Sequence, residues 1–583
     1  MPANKDRQRR RQQHAKLTAK KRSPGQKAAW RDLAGLAERN PFVVEVKDLH
    51  AAKGELCVRV RLATGHLATV EGGLPVSPVH EDVILVFTGA YPDRPPAVVV
   101  QHARFVGHPH VLAGSQLCIY LDEDREWHPS LGADAVVARL LEWFEDAAAS
   151  RFDSRTALFH PIGGLPPSPS VGAVLVVRQP QPPGRRPLSI ATVDVRAAHR
   201  DDLIRWDGPP RDGDPPSVTG ALVVRTAEPI PHGLVNVDVL GAAFARVQQA
   251  GGPTLEDAAA AIGAALPYIT DGWLRVIIDV AHPDDQDLSY LACVLTPAPD
   301  PATTSPNALL NQQIRWLTMH DERPTVATRR DHKRPTAAFH GQSVEIWGCG
   351  GIGSWIAEFI ARAGAARITL CDLRPVGPGL LVRQNYTEDD VGLGKADRLA
   401  VRLRSIRDDF EVATESANVL EVLNDGFTIT ADILIDATIN VTVAARLDEW
   451  AYNTTDAPLM AQVATDPRTA TLGMLVVADG DRHRGPATVD DATWRAIRDM
   501  PDLEQFHGFW TTLDKSDQLV PGLGCSTPTF HGSAADLASL AGSLVSLLGG
   551  HVGVGASGTH LIESSHAQGP GDTGHRFIPY PGP

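Results

Sequence analysis

The chain is poor in cysteine. Only six occur in 583 residues, Cys57, Cys118, Cys293, Cys349, Cys371 and Cys525, and no two form a C-x-x-C pair. That spacing argues against a thiolate zinc site and against a disulfide framework, and it favours a reducing, cytoplasmic setting. No run approaches the roughly 18–20 apolar residues of a membrane span, so no membrane partner is expected. The opening MPANKDRQRRRQQHAKLTAKKR is basic but leads into no apolar segment, so it does not read as a secretory signal. No internal repeat of fixed period is apparent. Basic residues are outnumbered, 55 Lys+Arg against 69 Asp+Glu, for a net charge of −14. A chain of that sign is a poor general binder of nucleic acid.

What is present describes packed protein. Hydrophobic residues make up 43% and charged residues 21%, which excludes a largely disordered chain. The length predicts about three or four domains. The 45 prolines and 51 glycines predict many turns and linkers.

After a basic tail over 1–25, three blocks are expected. The first, 26–162, has strand-like runs at 56–62, 83–87 and 97–100, and YPDRPP at 91–96. An amphipathic helix follows at 133–149, with Val136, Val137, Leu140, Leu141 and Phe144 at helical spacing. This block reads as α+β. GGLPPSPS at 163–170 is a linker by composition. The second block, 171–300, is rich in strand patterns (173–177, 221–224, 275–280, 290–295). It shows no charged or cysteine constellation that demands chemistry and reads as a spacer or docking domain. The third, 306–583, alternates strand and helix, which predicts a mostly parallel sheet covered by helices. The fold class expected is α/β multidomain.

The third block carries the clearest motif. A short apolar strand at 343–347 runs into Gly348-Cys349-Gly350-Gly351-Ile352-Gly353. A helical pattern follows, with Ile352, Ile356, Phe359, Ile360 and Ala363 on one face and Gly364 placed to end it. The next strand, 367–371, finishes at Asp372. Glycines let backbone approach phosphate, a helix N-terminus favours the anion, and the acid accepts from a ribose hydroxyl. A nicotinamide oxidoreductase fits that much. Arg383, Gln384 and Lys395 come next, then a strand at 431–435 ending at Asp436. Two cations able to neutralise a triphosphate and its pyrophosphate leaving group favour nucleotidyl transfer over hydride transfer.

The order Gly348, Gly350, Gly351, Gly353, Asp372, Arg383, Gln384, Lys395, Asp436 resembles the ThiF/MoeB-type adenylation domain shared with ubiquitin-activating enzymes, over roughly 320–560. The resemblance implies ATP and Mg²⁺, a Rossmann-like fold and a homodimer through this domain. Arg374, Leu380 and Ile439 depart from the family pattern. Ile439 stands where an acid normally helps hold magnesium, so Asp436 is the metal candidate. Cys525, in the small-residue loop 522–528 ahead of a helical pattern at 534–548, is accessible by sequence. The helix dipole is expected to stabilise its thiolate. The resemblance makes it the acceptor of the adenylated protein. Cys349 and Cys371 read as packing residues, and Cys57 and Cys293 as core.

In the first block, Tyr91-Pro92-Asp93-Arg94-Pro95-Pro96, then His108-Pro109-His110, then Leu117-Cys118 resemble a ubiquitin-conjugating enzyme over roughly 40–150. His110 stands where eukaryotic members have Asn, as in divergent bacterial conjugating-like domains, and is the candidate to polarise a thioester carbonyl. Asp122 and Asp124 are candidates to deprotonate an incoming nucleophile.

The whole chain resembles bacterial fusions of conjugating-like and activating-like domains, which occur in antiphage defence operons, including the CBASS type. That implies a fusion enzyme, adenylyltransferase plus acyl transferase. It would adenylate the C-terminal glycine or similar of a ubiquitin-like protein, load it on Cys525, pass it to Cys118 and conjugate it to a protein target. A sulfur-carrier adenylyltransferase, a nicotinamide oxidoreductase and a non-catalytic scaffold remain open. The chain's last residues lack Gly-Gly, so it is not expected to be its own modifier.

Overall fold

The computed structural model describes residues 22–49, 54–152, 174–298, 308–511, 532–564 and 574–581, apart from 103, 106–107, 113–114, 183, 185, 197–199, 231–233, 235–236, 283–287, 309, 328, 425–427, 467–469 and 480–483, together with the backbone of 519–520 and 527–528. The tail over 1–21 and the linker over 163–170 lie outside them. The chain divides into two units, residues 1–328 and 329–583.

The first unit begins with helix α1 (Pro24–Ala34), started by a Ser23–Gln26 capping box and by Pro24 at its first position. Strands β1 (Val43–Asp48), β2 (Leu56–Ala63), β3 (His80–Phe87), β4 (Ala97–Val100), β5 (Val111–Leu112) and β6 (Gln116–Leu117) form one sheet in the order 1-2-3-4-6-5. Strict alternation on β2 and β3 puts one face inward. That face packs with α1 and with α2 (Ala133–Ala148), which buries Val136, Val137, Leu140, Trp143 and Phe144. Cys57 takes an outward position on β2 and is half-buried rather than core.

The same unit holds a closed barrel. Its strands are β7 (Val174–Val177), β8 (Leu188–Arg196), β9 (Arg200–Arg205), β10 (Val218–Arg225), β11 (Trp273–Ala281), β12 (Ser289–Pro297) and β13 (Arg315–Asp321), in the order 10-11-12-13-7-9-8. Helices α3 (Leu240–Gln249) and α4 (Leu255–Ala265) pack on it. The expected boundary near 306 falls ahead of β13, yet β13 pairs with both β12 and β7 and so closes the barrel. Closure removes the sheet edges that an open β7 and β12 would expose. The barrel also holds charge that the sequence did not suggest. Arg225 bonds Asp279 at 3.0 Å and Arg275 bonds Asp201 at 2.6 Å, each pair at most 5% exposed.

The second unit is an eight-stranded sheet with strands β14 (Ser343–Trp347), β15 (Arg367–Cys371), β16 (Glu411–Glu415), β17 (Ile433–Asp436), β18 (Leu459–Thr465), β19 (Leu472–Ala478), β20 (Gly558–Glu563) and β21 (His575–Pro579). The order is 16-15-14-17-18-19-20-21. β16 through β18 are parallel and the last three pairings are antiparallel. Helices α5 (Gly353–Ala363), α6 (Lys395–Ile406), α7 (Val441–Asn453), α8 (Pro486–Ile497) and α9 (Ala534–Gly549) complete the layers. From β14 the chain runs outward through β15 and β16, then returns to β17 on the other side of β14. Ligands bind at such a switch point, beyond the carboxyl ends of the strands.

Candidate active site

A cavity of about 710 Å³ opens at that switch point. Gly348, Gly350, Gly351 and Ile352 line it from the turn after β14, Asp372 and Arg374 from the end of β15, and Ala437, Thr438 and Ile439 from the end of β17. Arg383, Gln384 and Lys395 enter from the intervening segment. These groups lie up to 91 residues apart in the chain (348 to 439), and the fold brings them to one cavity.

The glycines serve different ends. Gly348 has φ +87, and a Cβ there would sit 2.8 Å from the Ala437 carbonyl oxygen. A Cβ on Gly353 would lie 1.9 Å from the Gly348 carbonyl oxygen. Both are needed for the turn itself. A Cβ on Gly350 would meet nothing within 4 Å and its φ is not left-handed, so packing does not require glycine there. Room beside backbone at the start of α5 is what an anion needs. No side chain caps α5 and no acid stands in its first turn. At its far end Gly364, at φ +97, terminates the helix as expected.

The segment that carries the cations is tied to α5 by residues the sequence reading missed. Trp355 Nε1 donates to the Arg383 carbonyl at 3.2 Å. Asn385 N donates to Ser354 Oγ at 3.2 Å, and Asn385 Nδ2 to Glu358 Oε2 at 2.5 Å. Glu358 also pairs with Arg362 and Arg402. Tyr386 donates its phenol to the Cys349 carbonyl at 2.7 Å, with the Lys395 carbonyl 3.3 Å from the same oxygen. The spacing of Trp355, Ser354 and Glu358 on one helix face was the available signal.

Lys395 is buried at the first position of α6. Burial pushes its ammonium below the ordinary lysine range, while Asp372 pulls the other way. Gln384 is buried too, and its Oε1 has no partner among the described residues. A buried acceptor without a donor, on a cavity wall with two cations, fits a nucleotide better than an empty turn. Asp372 accepts from Cys349 N and Arg374 N, both at 2.8 Å. Two bonds leave carboxylate lone pairs for a ribose hydroxyl.

Asp436 is fully enclosed, and Ala437 and Thr438 beyond it line the cavity. Its Oδ1 accepts from Thr438 N at 2.9 Å and Thr438 Oγ1 at 2.6 Å, and its Oδ2 has no partner among the described residues. Burial pushes its pKa up to about 6. The orphaned oxygen fits a cation. The described residues hold no group of three His, Cys, Asp or Glu side chains placed for a metal. Magnesium commonly takes only one or two carboxylates plus substrate phosphates. Ile439 lines the cavity, 71% exposed with φ +51.

In the first domain Cys118 follows β6 and is half-buried. Its N–H donates to the His110 carbonyl at 2.9 Å, and its thiol donates to the Tyr120 carbonyl at 3.2 Å. Burial, then the charges of Glu123 and Glu126, push the thiol upward. His110 sits at φ +59 with its ring against Phe152, centroids 4.7 Å apart, and burial pushes its pKa down. Its backbone therefore reaches Cys118 while its imidazole packs. Asp122, exposed, pairs with Arg125 at 3.3 Å. Asp124 and Glu123 line a cavity of about 370 Å³ with Asp93, Arg94, Pro95, Trp127 and Pro129. Glu123 and Glu126 are the carboxylates whose charge opposes a thiolate at Cys118.

Cys525 lies outside the described residues. Helix α9 begins at Ala534, where the pattern placed it, and Ser533 and Asp536 form a capping box there. Cys349, Cys371 and Cys293 are fully buried, and burial raises each thiol.

A model described as the ThiF family matches residues 332–487, and one described as prokaryotic E2 family A matches residues 38–171. The tRNA threonylcarbamoyladenosine dehydratase of Escherichia coli (strain K12) is 36% identical over 95 residues, 15% of this chain and 35% of that protein. The dehydratase 2 of the same description from Saccharomyces cerevisiae is 28% identical over 149 residues, 24% and 33% of the two chains. Ubiquitin-like modifier-activating enzyme 5 of Drosophila melanogaster is 34% identical over 83 residues, 14% and 20%. The chain thus spans about a third or less of the length of these relatives. The solved structure of PaaA is matched at 19% identity and a TM-score of 0.30, over 42% of this chain and 75% of that one. One chain here joins a ThiF adenylation domain to a prokaryotic E2 family domain.

Proposed function

We propose that this chain activates the C-terminal carboxylate of a ubiquitin-like protein with ATP and conjugates it to a protein target. The observation that carries this is the convergence of Gly350, Asp372, Arg383, Gln384 and Lys395 on one cavity, in a chain whose residues 38–171, Cys118 among them, match the prokaryotic E2 family A model. ThiF-family adenylyltransferases use ATP. A carboxylate is a poor acyl donor until an oxygen leaves with AMP. The carboxylate attacks the α-phosphate, the bond to pyrophosphate breaks, and Arg383 and Lys395 neutralise the departing charge. Asp372 holds the ribose and Gln384 donates or accepts at the cavity wall. Asp436 Oδ2 is the residue offered to Mg²⁺, which when bound supplies charge neutralisation at phosphate oxygens.

Cys525 then takes the acyl group as a thioester and AMP leaves, which splits one difficult step into two. Cys118 takes it by transthiolation, with the thioester carbonyl left to a group other than the packed His110 imidazole, and passes it to the target. Fusion raises the effective concentration of one cysteine near the other. A cytoplasmic setting and a role in bacterial antiphage defence are part of this reading. A homodimer through the adenylation domain is part of this reading. The E2 family domain favours it over a sulfur-carrier adenylyltransferase, which would leave Cys118 idle.

The test is a short ATP pulse with the cognate ubiquitin-like protein, read on a non-reducing gel. Cys118→Ala is expected to trap a reductant-sensitive thioester on Cys525. Cys525→Ala is expected to exchange pyrophosphate but carry no thioester. A thioester on Cys118 in the Cys525→Ala protein would overturn the two-cysteine order.

A further inference from the structure

The chain carries a net charge of −14, yet the cavity at the switch point of the second unit has a positive wall. Arg374, Arg383 and Lys395 line it, and among the described residues Asp372 is the one carboxylate beside them. Asp436 is enclosed behind Ala437 and Thr438 rather than on the wall. Arg383 and Lys395 have roles in the adenylation reading; Arg374 has none there.

Backbone geometry fixes where Arg374 stands. Its N–H donates to Asp372 Oδ1 at 2.8 Å, and its carbonyl accepts from Lys395 N at 3.1 Å. Pro375 and Gly394 form an antiparallel bridge, and Val376 N donates to the Leu393 carbonyl at 2.9 Å. The segment after β15 is thus zipped to the segment that opens α6, with Arg374 at the end of the ribbon, between Asp372 and Lys395. The Arg374 guanidinium is exposed and makes no hydrogen bond or ion pair with any described residue. Arg374 and Arg383 both lie near enough to oppose the charge of the Lys395 ammonium. Three cations crowded on one wall repel one another, and an anion of several charges lying among them relieves that repulsion. A triphosphate supplies such charge; a monophosphate supplies less.

We infer that Arg374 is a specificity-determining residue of this cavity: its guanidinium binds phosphate oxygens beside Lys395, selects the triphosphate over shorter nucleotides and reduces the share of charge neutralisation left to a divalent cation. This rests on the nucleotide reading of the cavity and deepens it. A guanidinium suits the task, because it is always charged and its fork meets two phosphate oxygens at once. Mg²⁺ and Arg374 act on the same phosphate charge. Each therefore matters more when the other is absent.

The experiment is calorimetric titration of the full chain with AMP, ADP and ATP, in EDTA and again in excess Mg²⁺. Arg374→Gln removes the charge from an exposed side chain, so the fold is expected to persist; a thermal melt without nucleotide is the control. The variant is expected to bind ATP about 10- to 100-fold more weakly in EDTA, to lose less than about threefold in Mg²⁺, and to bind AMP as the parent does. ADP should fall between. Arg374→Lys keeps the charge without the fork and is expected to recover part of the ATP affinity in EDTA. It also carries the comparison if Arg374→Gln does not fold, and an affinity equal to the parent's would then overturn the inference. Unchanged ATP affinity of Arg374→Gln in EDTA would overturn it, as would equal losses with and without Mg²⁺. Equal losses for AMP and ATP would place the side chain at the ribose or base and overturn it too. A parent chain that binds no ATP in either buffer would instead end the nucleotide reading, and this inference with it. Binding requires no protein partner, so these outcomes are separate from those of the thioester gel.

Discussion

The phenol of Tyr386 donates to the carbonyl of Cys349 across 37 residues of chain, at 2.7 Å. Through this bond the segment that carries Arg383 and Gln384 braces the glycine turn on which a phosphate would lie. Burial raises the phenol well above its ordinary range, so it remains a donor at any physiological pH. Tyr386→Phe keeps the ring and removes the bond. It is expected to cost about 1–3 kcal/mol of stability, since a buried carbonyl loses its donor. It should raise the ATP requirement in pyrophosphate exchange. Thermal unfolding and exchange assays on the same preparation check both. An unchanged melting point would mean that the turn is held by the sheet alone.

Gly350→Ala and Gly353→Ala separate ligand space from packing. The first adds a methyl into open cavity and is expected to leave stability unchanged or raise it by about 0.4–1 kcal/mol. Nucleotide binding should fall. The second drives a methyl into the Gly348 carbonyl and should destabilise the domain by at least about 1–3 kcal/mol. Calorimetric ATP titration beside thermal melts reads the pair. Undiminished ATP affinity in Gly350→Ala would remove the phosphate from this turn.

Arg383→Ala and Lys395→Ala should each lower pyrophosphate exchange by about 10²–10³ while the fold persists. Circular dichroism is the control for folding. Lys395 is the sharper case, because burial already disfavours its charge and a bound polyanion would restore it. Normal exchange in both variants would end the adenylation reading.

Asp436 sets up a pH test with a definite sign. Its folded pKa, pushed up to about 6, lies above the unfolded value of 3.8, so the folded state binds the extra proton between those values. Stability from this group therefore falls as pH rises from 3.8 through 6, and the penalty is fully present above 6. At about 1.4 kcal/mol per unit, it amounts to about 3 kcal/mol. Asp436→Asn should thus be more stable than the parent at pH 7.5 in EDTA, with the difference shrinking toward pH 4, and should lose magnesium-dependent exchange. Urea unfolding across that range is the measurement. A less stable variant at pH 7.5 would show that the carboxylate has a partner.

The local run of this protein was open to inspection of the chain alone. The strands Ser343–Trp347 and Arg367–Cys371, the turn and helix between them and the terminating Gly364 lie where their patterns place them. Each is written in residues that touch their neighbours in sequence: alternation for strands, helical spacing for α5, a left-handed glycine at its end. The same holds for α2, whose apolar stripe needs no knowledge of its partner.

What the tertiary structure alone decided is who meets whom. β13 closes the barrel on β7, and Arg275 finds Asp201 from 74 residues away, because strand order and register choose partners that no local period encodes. The bracing of the cation segment by Trp355, Ser354, Glu358 and Tyr386 is of that kind. So is the pairing of Glu126 with Arg139 on α2 and with the N–H groups of Leu121 and Asp122, which sequence spacing does not encode. Burial also lies beyond the sequence pattern: Asp436 ends a strand as expected, and its raised pKa arises because the sheet and the turn after it exclude water from one oxygen.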